Sequence, residues 1–415
     1  MPGAAINAVS GFFIYQLLTF IIRPEISKLS RIQTGLIVTR EMIAMDFSYH
    51  MPTRVFFGNA CIEKNVSELA LYGKKAFIVT GKTSAVRSGA IGDLCEALSR
   101  SGVAWIVYDK ILPNPTIENV RDAAIQARNF GADVIIGVGG GSPMDAAKAV
   151  AVLAPNDLDD EALFRCVYAH EPLPVLAVPT TAGTGSEATP YSILTDVKDK
   201  TKKNLSHKAL FPRAAFVDPR YTEKIPHALT VNTAIDALSH AVESFLSRKS
   251  NAVSAMIALE SLHVIGPCLR GIDESRLPDT DIREKLIYAA LLAGMAIAQT
   301  GTTVVHAMGY SLTFFRNVDH GMANGLLLAE YLRYVTPQNT MKIEQMLNAL
   351  GMKHPDELEV LIKRLMKPDF VLSDEEIAVY AAKALPAKSV ENTVPCPGLE
   401  EIKSLYRKSL GVNPS

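Results

Sequence analysis

Three short runs, Lys75 to Thr80 (KAFIVT), Val103 to Tyr108 (VAWIVY) and Val134 to Val138 (VIIGV), are apolar along almost their whole length, and each is followed by an amphipathic stretch. A strand with polar residues at alternate positions can leave one face in water, whereas a strand without them must be covered on both faces. Strand followed by helix, repeated, therefore predicts βαβ units and a parallel sheet sandwiched between helices. Leu176 to Val178 and Ala215 to Val217 continue the series. Past about Glu223 the pattern changes: Leu229 to Leu246, Ala252 to Leu262 and Arg283 to Gln299 read as helices with Ala, Leu and Ile on recurring faces, and no convincing strand intervenes. Pro and Gly gather in connectors such as Gly266-Pro267 and Pro395-Cys396-Pro397-Gly398. The expectation is an α/β domain over residues 45–222, an all-helical domain over 223–415, and a cleft between them.

Composition narrows the function classes. With 415 residues, 48% hydrophobic and only 20% charged, the chain can bury substantial cores, which excludes disordered and fibrous readings. A formal net charge of −1 and no long run of one sign leave no field to attract nucleic acid or an anionic membrane. The five cysteines (Cys61, Cys95, Cys166, Cys268 and Cys396) are scattered without a C-x-x-C pair, which suits a reducing compartment and makes the cytoplasm the expected location. Gly11 to Ile22 (GFFIYQLLTFII) is shorter than the roughly 20 apolar residues of a spanning helix, and no basic residue precedes it. Residues 1–44 are therefore expected to form an extension outside the fold.

Two loops carry the first chemistry. Gly139-Gly140-Gly141-Ser142-Pro143-Met144-Asp145-Ala146-Ala147-Lys148 follows a predicted strand and runs into a predicted helix. Glycine lets a backbone approach a phosphate closely, and the free N–H groups at a helix N-terminus supply positive potential for a pyrophosphate. By itself such a loop is equally a tight strand-to-helix turn. Pro179-Thr180-Thr181-Ala182-Gly183-Thr184-Gly185-Ser186-Glu187 also follows an apolar strand and is dense in hydroxyls and glycines, so two strand ends can present donors to one phosphorylated ligand.

The helical half offers a different chemistry. Asp236 and His240 are four residues apart and so share a helical face, compatible with a shared cation or with a simple hydrogen bond. His306 and His320 lie in apolar, Gly-flanked surroundings, where an imidazole is either a satisfied core group or a ligand.

Taken in order, these stretches resemble the iron-containing (group III) alcohol dehydrogenases. The match runs from about Asp46 to the C-terminus and includes Pro113-Asn114-Pro115-Thr116, the GGGSPMDAAK and PTTAGTGSE loops, Val217-Asp218-Pro219, the Ile235 to Glu243 helix (IDALSHAVE) and the His306 to His320 interval. The resemblance implies a Rossmann-like dinucleotide-binding α/β domain followed by an all-α metal-binding domain, the dehydroquinate synthase-like fold. It implies four metal ligands, Asp236, His240, His306 and His320, an N/O set suited to Fe(II), with Zn(II) the alternative. It places the cofactor phosphates on Gly140, Gly141, Ser142, Thr180, Thr181 and Thr184, with Asn114, Asp145 and Lys202 at further nucleotide-contacting positions.

Two departures from the family pattern stand out. Where NAD-preferring members often hold an Asp after the Ile-Val-Thr strand, this chain has Gly81-Lys82-Thr83-Ser84. Without that carboxylate a 2′-phosphate meets no repulsion and Ser84 or Lys82 can bind it, so NADP(H) is expected over NAD(H). Tyr310 stands where many members have a histidine near the nicotinamide, which leaves a phenol or a water chain as the proton path. The implied activity is hydride transfer between an alcohol and its aldehyde or ketone at the domain cleft, with the metal polarising the substrate oxygen. Small-molecule substrates and a homodimer or larger homo-oligomer follow from the same resemblance. Rival readings are a glycerol dehydrogenase-like enzyme, a metal-free maleylacetate reductase-like enzyme, or an assembly protein without turnover.

Overall fold

Side chains alternate across a strand, and the apolar runs are sorted accordingly. In β2 (Lys75–Gly81), Phe77 and Val79 enter one core while Ala76 and Ile78 enter another. The computed structural model describes residues 46–272 and 277–411; the extension expected over residues 1–44, with its apolar run, lies outside the described residues. Strands are numbered in chain order, as are helices longer than ten residues. The first core takes Ile135 of β4 (Val134–Gly139) and Val175 of β5 (Val175–Pro179). Against them lie Val120, Ala123 and Ala127 of α2 (Ile117–Phe130) and Ala146, Ala147 and Val150 of α3 (Gly141–Leu153). The second core joins Ile136, Val138, Leu176 and Val178 to Leu94, Ala97 and Leu98 of α1 (Ala90–Arg100). Both faces are thus covered over the central strands, but the expectation fails for the Val103 to Tyr108 run, which forms an edge strand with Trp105 and Val107 exposed.

With β1 (Arg54–Phe57), β3 (Ala104–Ile111) and β8 (Ala214–Val217), the sheet has the order β1-β8-β5-β4-β2-β3, every pair parallel. From β2 the chain steps outward to β3, then crosses back to place β4 on the other side of β2. The crevice outside the carboxyl ends of β2 and β4 is therefore the topological switch point, where open α/β sheets bind ligands.

An antiparallel hairpin of β6 (Tyr191–Asp196) and β7 (Thr201–Ser206) stands apart from the sheet. Sequence patterning misses it because the buried positions of β6 include Ser192 and Asp196, so burial and hydropathy alternate out of step. Ser192 Oγ instead donates to the Asp145 carbonyl at 2.6 Å. The four-residue β1 is too short to show a period.

No strand follows Val217 among the described residues. Helix α4 (His227–Leu246) is buried almost continuously from Thr230 to Leu246, the pattern of a helix enclosed on all sides. It packs against α5 (Ala252–Gly271), α6 (Thr280–Thr300) and α8 (His320–Leu350), with α7 (Val304–Arg316) lying against α8. Gly266-Pro267, expected in a connector, lies inside α5. A Cβ at Gly266 would come 2.7 Å from the Leu350 carbonyl oxygen, so the glycine admits the end of α8. Tertiary packing of that kind outweighs the single helical hydrogen bond that Pro267 cannot make.

The second hydroxyl-rich loop meets the helical half through two glycines. A Cβ on Gly185 would lie 2.4 Å from Gly294 Cα, and one on Gly294 would lie 2.7 Å from Gly185 Cα. Gly185 also holds a φ of +61°. This backbone-to-backbone contact sets the loop on α6 with no side chain between. Gly294→Ala should lower unfolding stability by about 1–3 kcal/mol, the usual cost of overpacking, read as a shift in the urea midpoint. An unchanged midpoint would show that the contact relaxes freely.

Candidate active site

Helix α4 places Asp236, His240 and Glu243 at i, i+4 and i+7, on one face. His306 is on the first turn of α7 and His320 opens α8. Both helix starts are anchored to α4. Glu243 Oε1 accepts from the Thr303 amide at 2.7 Å and the Thr303 hydroxyl at 2.6 Å, holding the entry to α7. Asn232 Nδ2 donates to Asp319 Oδ2 at 2.6 Å, and a Cβ on Gly321 would fall 1.7 Å from the Asn232 carbonyl oxygen, so α8 begins pressed against α4.

Three helices thereby bring four donors to one place, Asp236, His240 and His306 buried and His320 partly exposed. Asp236 Oδ1 lies 4.0 Å from His240 Nε2, 3.7 Å from His306 Nε2 and 3.9 Å from His320 Nε2. The Nε2 atoms of His240 and His306 face each other at 2.9 Å. Donor atoms about 2.1 Å from a shared cation at tetrahedral corners sit roughly 3.4 Å apart; those of Asp236, His240 and His306 all lie within 4.8 Å of one another, the closeness one divalent ion needs, whereas His320, near Asp236, stands outside that mutually close set. The chemistry fits too, because lone pairs of imidazole and carboxylate converge where a proton could satisfy only one pair.

The surroundings fix the protonation of this set. Burial drives His240 and His320 below the ordinary imidazole value, against the pull of Asp236. Burial acts on His306 in the same sense, but the adjoining Glu243 carboxylate outweighs it and raises His306. Glu243 Oε2 is in direct contact with His306 Nδ1, so Nδ1 carries a proton and Nε2 is the ring nitrogen turned toward Asp236 and His240. Burial pushes Asp236 upward, yet the three histidines outweigh it and hold the carboxyl below its usual range.

Two site residues escape the sequence reading. Glu243 stands seven residues after Asp236 on the same helical face and is fully buried. Asn324 is one turn beyond His320, fully buried, with Nδ2 3.1 Å from Asp236 Oδ1. That periodicity is the signal for both.

Tyr310 stacks on His320, with centroids 5.5 Å apart and planes at 13°, and meets His306 edge-on at 6.4 Å. Lys202, on β7, lies over the Tyr310 ring at 5.8 Å and donates to Asn114 Oδ1 at 2.8 Å. Desolvation pushes Lys202 down to about 8 against the attraction of Asp236 and Asp145. It links the four-donor cluster to the loops at the strand ends.

Those loops gather the remaining expected residues. Gly81 ends β2, Asn114 follows β3, Gly140 and Gly141 join β4 to α3, and Thr180, Thr181 and Thr184 follow β5. All stand at carboxyl ends beside the switch point. A Cβ on Gly141 would meet Thr184 Cγ2 at 2.6 Å and one on Gly140 would meet Thr181 Oγ1 at 3.2 Å, so the glycines let the loops nest. The Asn114 amide donates to Ser142 Oγ at 3.2 Å. Ser84 is exposed at the start of a short helix. Asp145 is turned into the protein: its carboxylate accepts from Ser186 Oγ at 2.6 Å and the Ile193 amide at 2.9 Å. Beneath it the fully buried Lys148 donates to Ser186 Oγ and the Tyr191 carbonyl, each at 2.7 Å, tying both loops to the hairpin.

Comparison with known proteins decides the family. The sequence profile of the iron-containing alcohol dehydrogenases matches residues 52–219, and that of the Fe-containing alcohol dehydrogenase family C-terminal region matches residues 230–410. The chain belongs to the iron-containing alcohol dehydrogenase family. Lactaldehyde reductase of Escherichia coli (strain K12) is 33% identical over 302 residues, 72% of this chain and 78% of the relative. 1,3-Propanediol dehydrogenase of Citrobacter freundii is 35% identical over 308 residues, 74% of this chain and 79% of the relative. The crystal structure of an iron-containing alcohol dehydrogenase from Thermotoga maritima is 40% identical, with a TM-score of 0.83 over 88% of this chain and 100% of that one. As a member of this family of alcohol dehydrogenases, the chain is an oxidoreductase using a divalent metal and a nicotinamide cofactor.

The loop network carries its own pH signature. Burial raises Glu187 to about 7 from 4.5, opposed by its own amide and by Lys148. Between those values the folded enzyme keeps a proton that the unfolded chain has lost, so this group's contribution to stability falls as pH rises through the window. Glu187→Gln should flatten the decline in urea midpoint between pH 4.5 and 7. An identical slope in both proteins would contradict the assignment.

Proposed function

We propose that the enzyme interconverts a small alcohol and its aldehyde or ketone, using NADP(H) in preference to NAD(H), with Asp236, His240, His306 and His320 holding one divalent cation, iron first and zinc second. The observation that carries this reading is the convergence of one carboxylate oxygen and three imidazole nitrogens in a cluster that Lys202 connects to the cofactor loops. When bound, the cation supplies Lewis-acid polarisation of the substrate oxygen, while the nicotinamide gives or takes hydride. Glu243 holds the His306 ring in the tautomer that presents Nε2. Gly140, Gly141, Ser142 and the Thr180 to Thr184 loop seat the phosphates, with Asn114 and Lys202 beside them.

Tyr310 is the proposed proton carrier in place of the histidine of related enzymes. Burial and the surrounding carboxylates raise its phenol, so it keeps its proton near neutrality and acts by donating and passing a hydrogen bond rather than as a free base. Relatives named as lactaldehyde reductase and 1,3-propanediol dehydrogenase support a small substrate.

The preference for NADP(H) rests on Gly81. A Cβ there would meet only the Ile111 carbonyl oxygen, at 3.4 Å, and its φ lies outside the left-handed range, so the backbone does not demand glycine. What the glycine provides is the absence of a carboxylate where a 2′-phosphate would lie. Efficiency, kcat/KM, should be higher with NADPH than with NADH by roughly ten- to a hundredfold, the worth of one charged contact, and Gly81→Asp should reverse the order. Equal efficiency with both cofactors, unmoved by the substitution, would refute the preference.

The ligand assignment has a separate test. His306→Ala and His320→Ala should each abolish metal-dependent reduction of an aldehyde panel, while NADPH fluorescence titration stays close to that of the parent. Stoichiometric metal with near-parental rates in either variant would remove that histidine from the set.

A further inference from the structure

Asn324 lies outside the expected ligand set yet stands among its donor atoms. Its Nδ2 is 3.1 Å from Asp236 Oδ1, 3.1 Å from His306 Nε2 and 3.3 Å from His320 Nε2. The Asp236 carboxylate oxygen can only accept, so the amide must face it with its NH2 end; the reversed amide would set its oxygen against a carboxylate oxygen. The oxygen at the other end is buried without a hydrogen-bond partner. The fold nevertheless makes room for it, since a Cβ on Gly309 would lie 2.1 Å from that oxygen. An orphaned buried acceptor opposes folding, so stability does not account for an asparagine here. The donor end does.

We infer that Asn324 is a positioning residue of the metal centre: its amide donates to Asp236 Oδ1 and keeps the lone pairs of Asp236, His306 and His320 aimed at a common point before a cation arrives. Carboxylate and imidazole lone pairs at these separations repel one another. A neutral donor between them offsets the repulsion without competing as a charge, and its bond to Asp236 sets the rotation of the carboxylate. His320 and Asn324 share a face of α8 at i and i+4, so the helix that brings one ligand also brings the group that orients another. The inference rests on the reading of this cluster as a metal centre.

The test uses the full-length enzyme, stripped of metal and titrated with Co2+ against a chelator while the visible d–d bands are recorded. Asn324→Leu is close in size to asparagine and cannot donate; Asn324→Ala removes the group without adding bulk near Gly309. Substitutions in the shell behind metal ligands typically cost ten- to a hundredfold in metal affinity. A loss of about that size, with shifted d–d bands and NADPH titration like the parent's, is expected for both. Either variant that titrates NADPH like the parent and keeps parental Co2+ affinity and spectrum would overturn the inference. If Asn324→Leu fails to bind NADPH, the alanine variant decides. A parent enzyme that binds no Co2+ would instead overturn the metal-centre reading, and this inference with it.

Discussion

A carboxylate and three imidazoles share one volume of the protein interior, and the helical half is arranged to make that tolerable. Removing such groups from water is costly unless each is met by a counter-charge or a donor. Here Asp236 is surrounded by histidines and accepts from Asn324, and His306 is backed by Glu243. The enclosure of α4 on all sides is what brings these groups together, since α7 and α8 are each fastened at their first turn to that helix.

The α/β half solves a complementary problem. Four adjacent strand ends bring hydroxyl- and glycine-rich loops together without their collapsing onto one another. Gly140 and Gly141 allow the two loops to nest, and the Lys148, Ser186 and Asp145 chain fixes their separation from within. Gly185 against Gly294 then sets the second loop on α6 of the helical half. Lys202 completes the connection, reaching Asn114 on one side and Tyr310 on the other. The strand-end loops thus meet the helical half by two routes, the Gly185–Gly294 backbone contact and the Lys202–Tyr310 stacking.

Much of this was legible in the sequence because it depends on period. The five longer or wholly apolar strands appear as continuous runs, and Asp236 and His240 share a face by spacing alone. Family resemblance added His306 and His320, which no local pattern joins to α4, since they come from two further helices. What stayed hidden depends on packing. The β6–β7 hairpin buries Ser192 and Asp196 against specific partners, so its hydropathy does not alternate as its burial does. Gly266-Pro267 reads as a break but lies within α5, where close approach to Leu350 decides the matter. Glu243 and Asn324 were visible as spacings yet carried no role until their partners were located across helix boundaries.

The central claim is that Asp236, His240, His306 and His320 together hold a single divalent ion. X-ray absorption at the metal edge of the Fe(II)- or Zn(II)-loaded enzyme measures this directly. The account predicts one metal per chain, with only N/O scatterers at about 2.0–2.2 Å and the multiple-scattering signature of three imidazoles. Sulfur scatterers, fewer than two imidazoles, or no stoichiometric metal would contradict it.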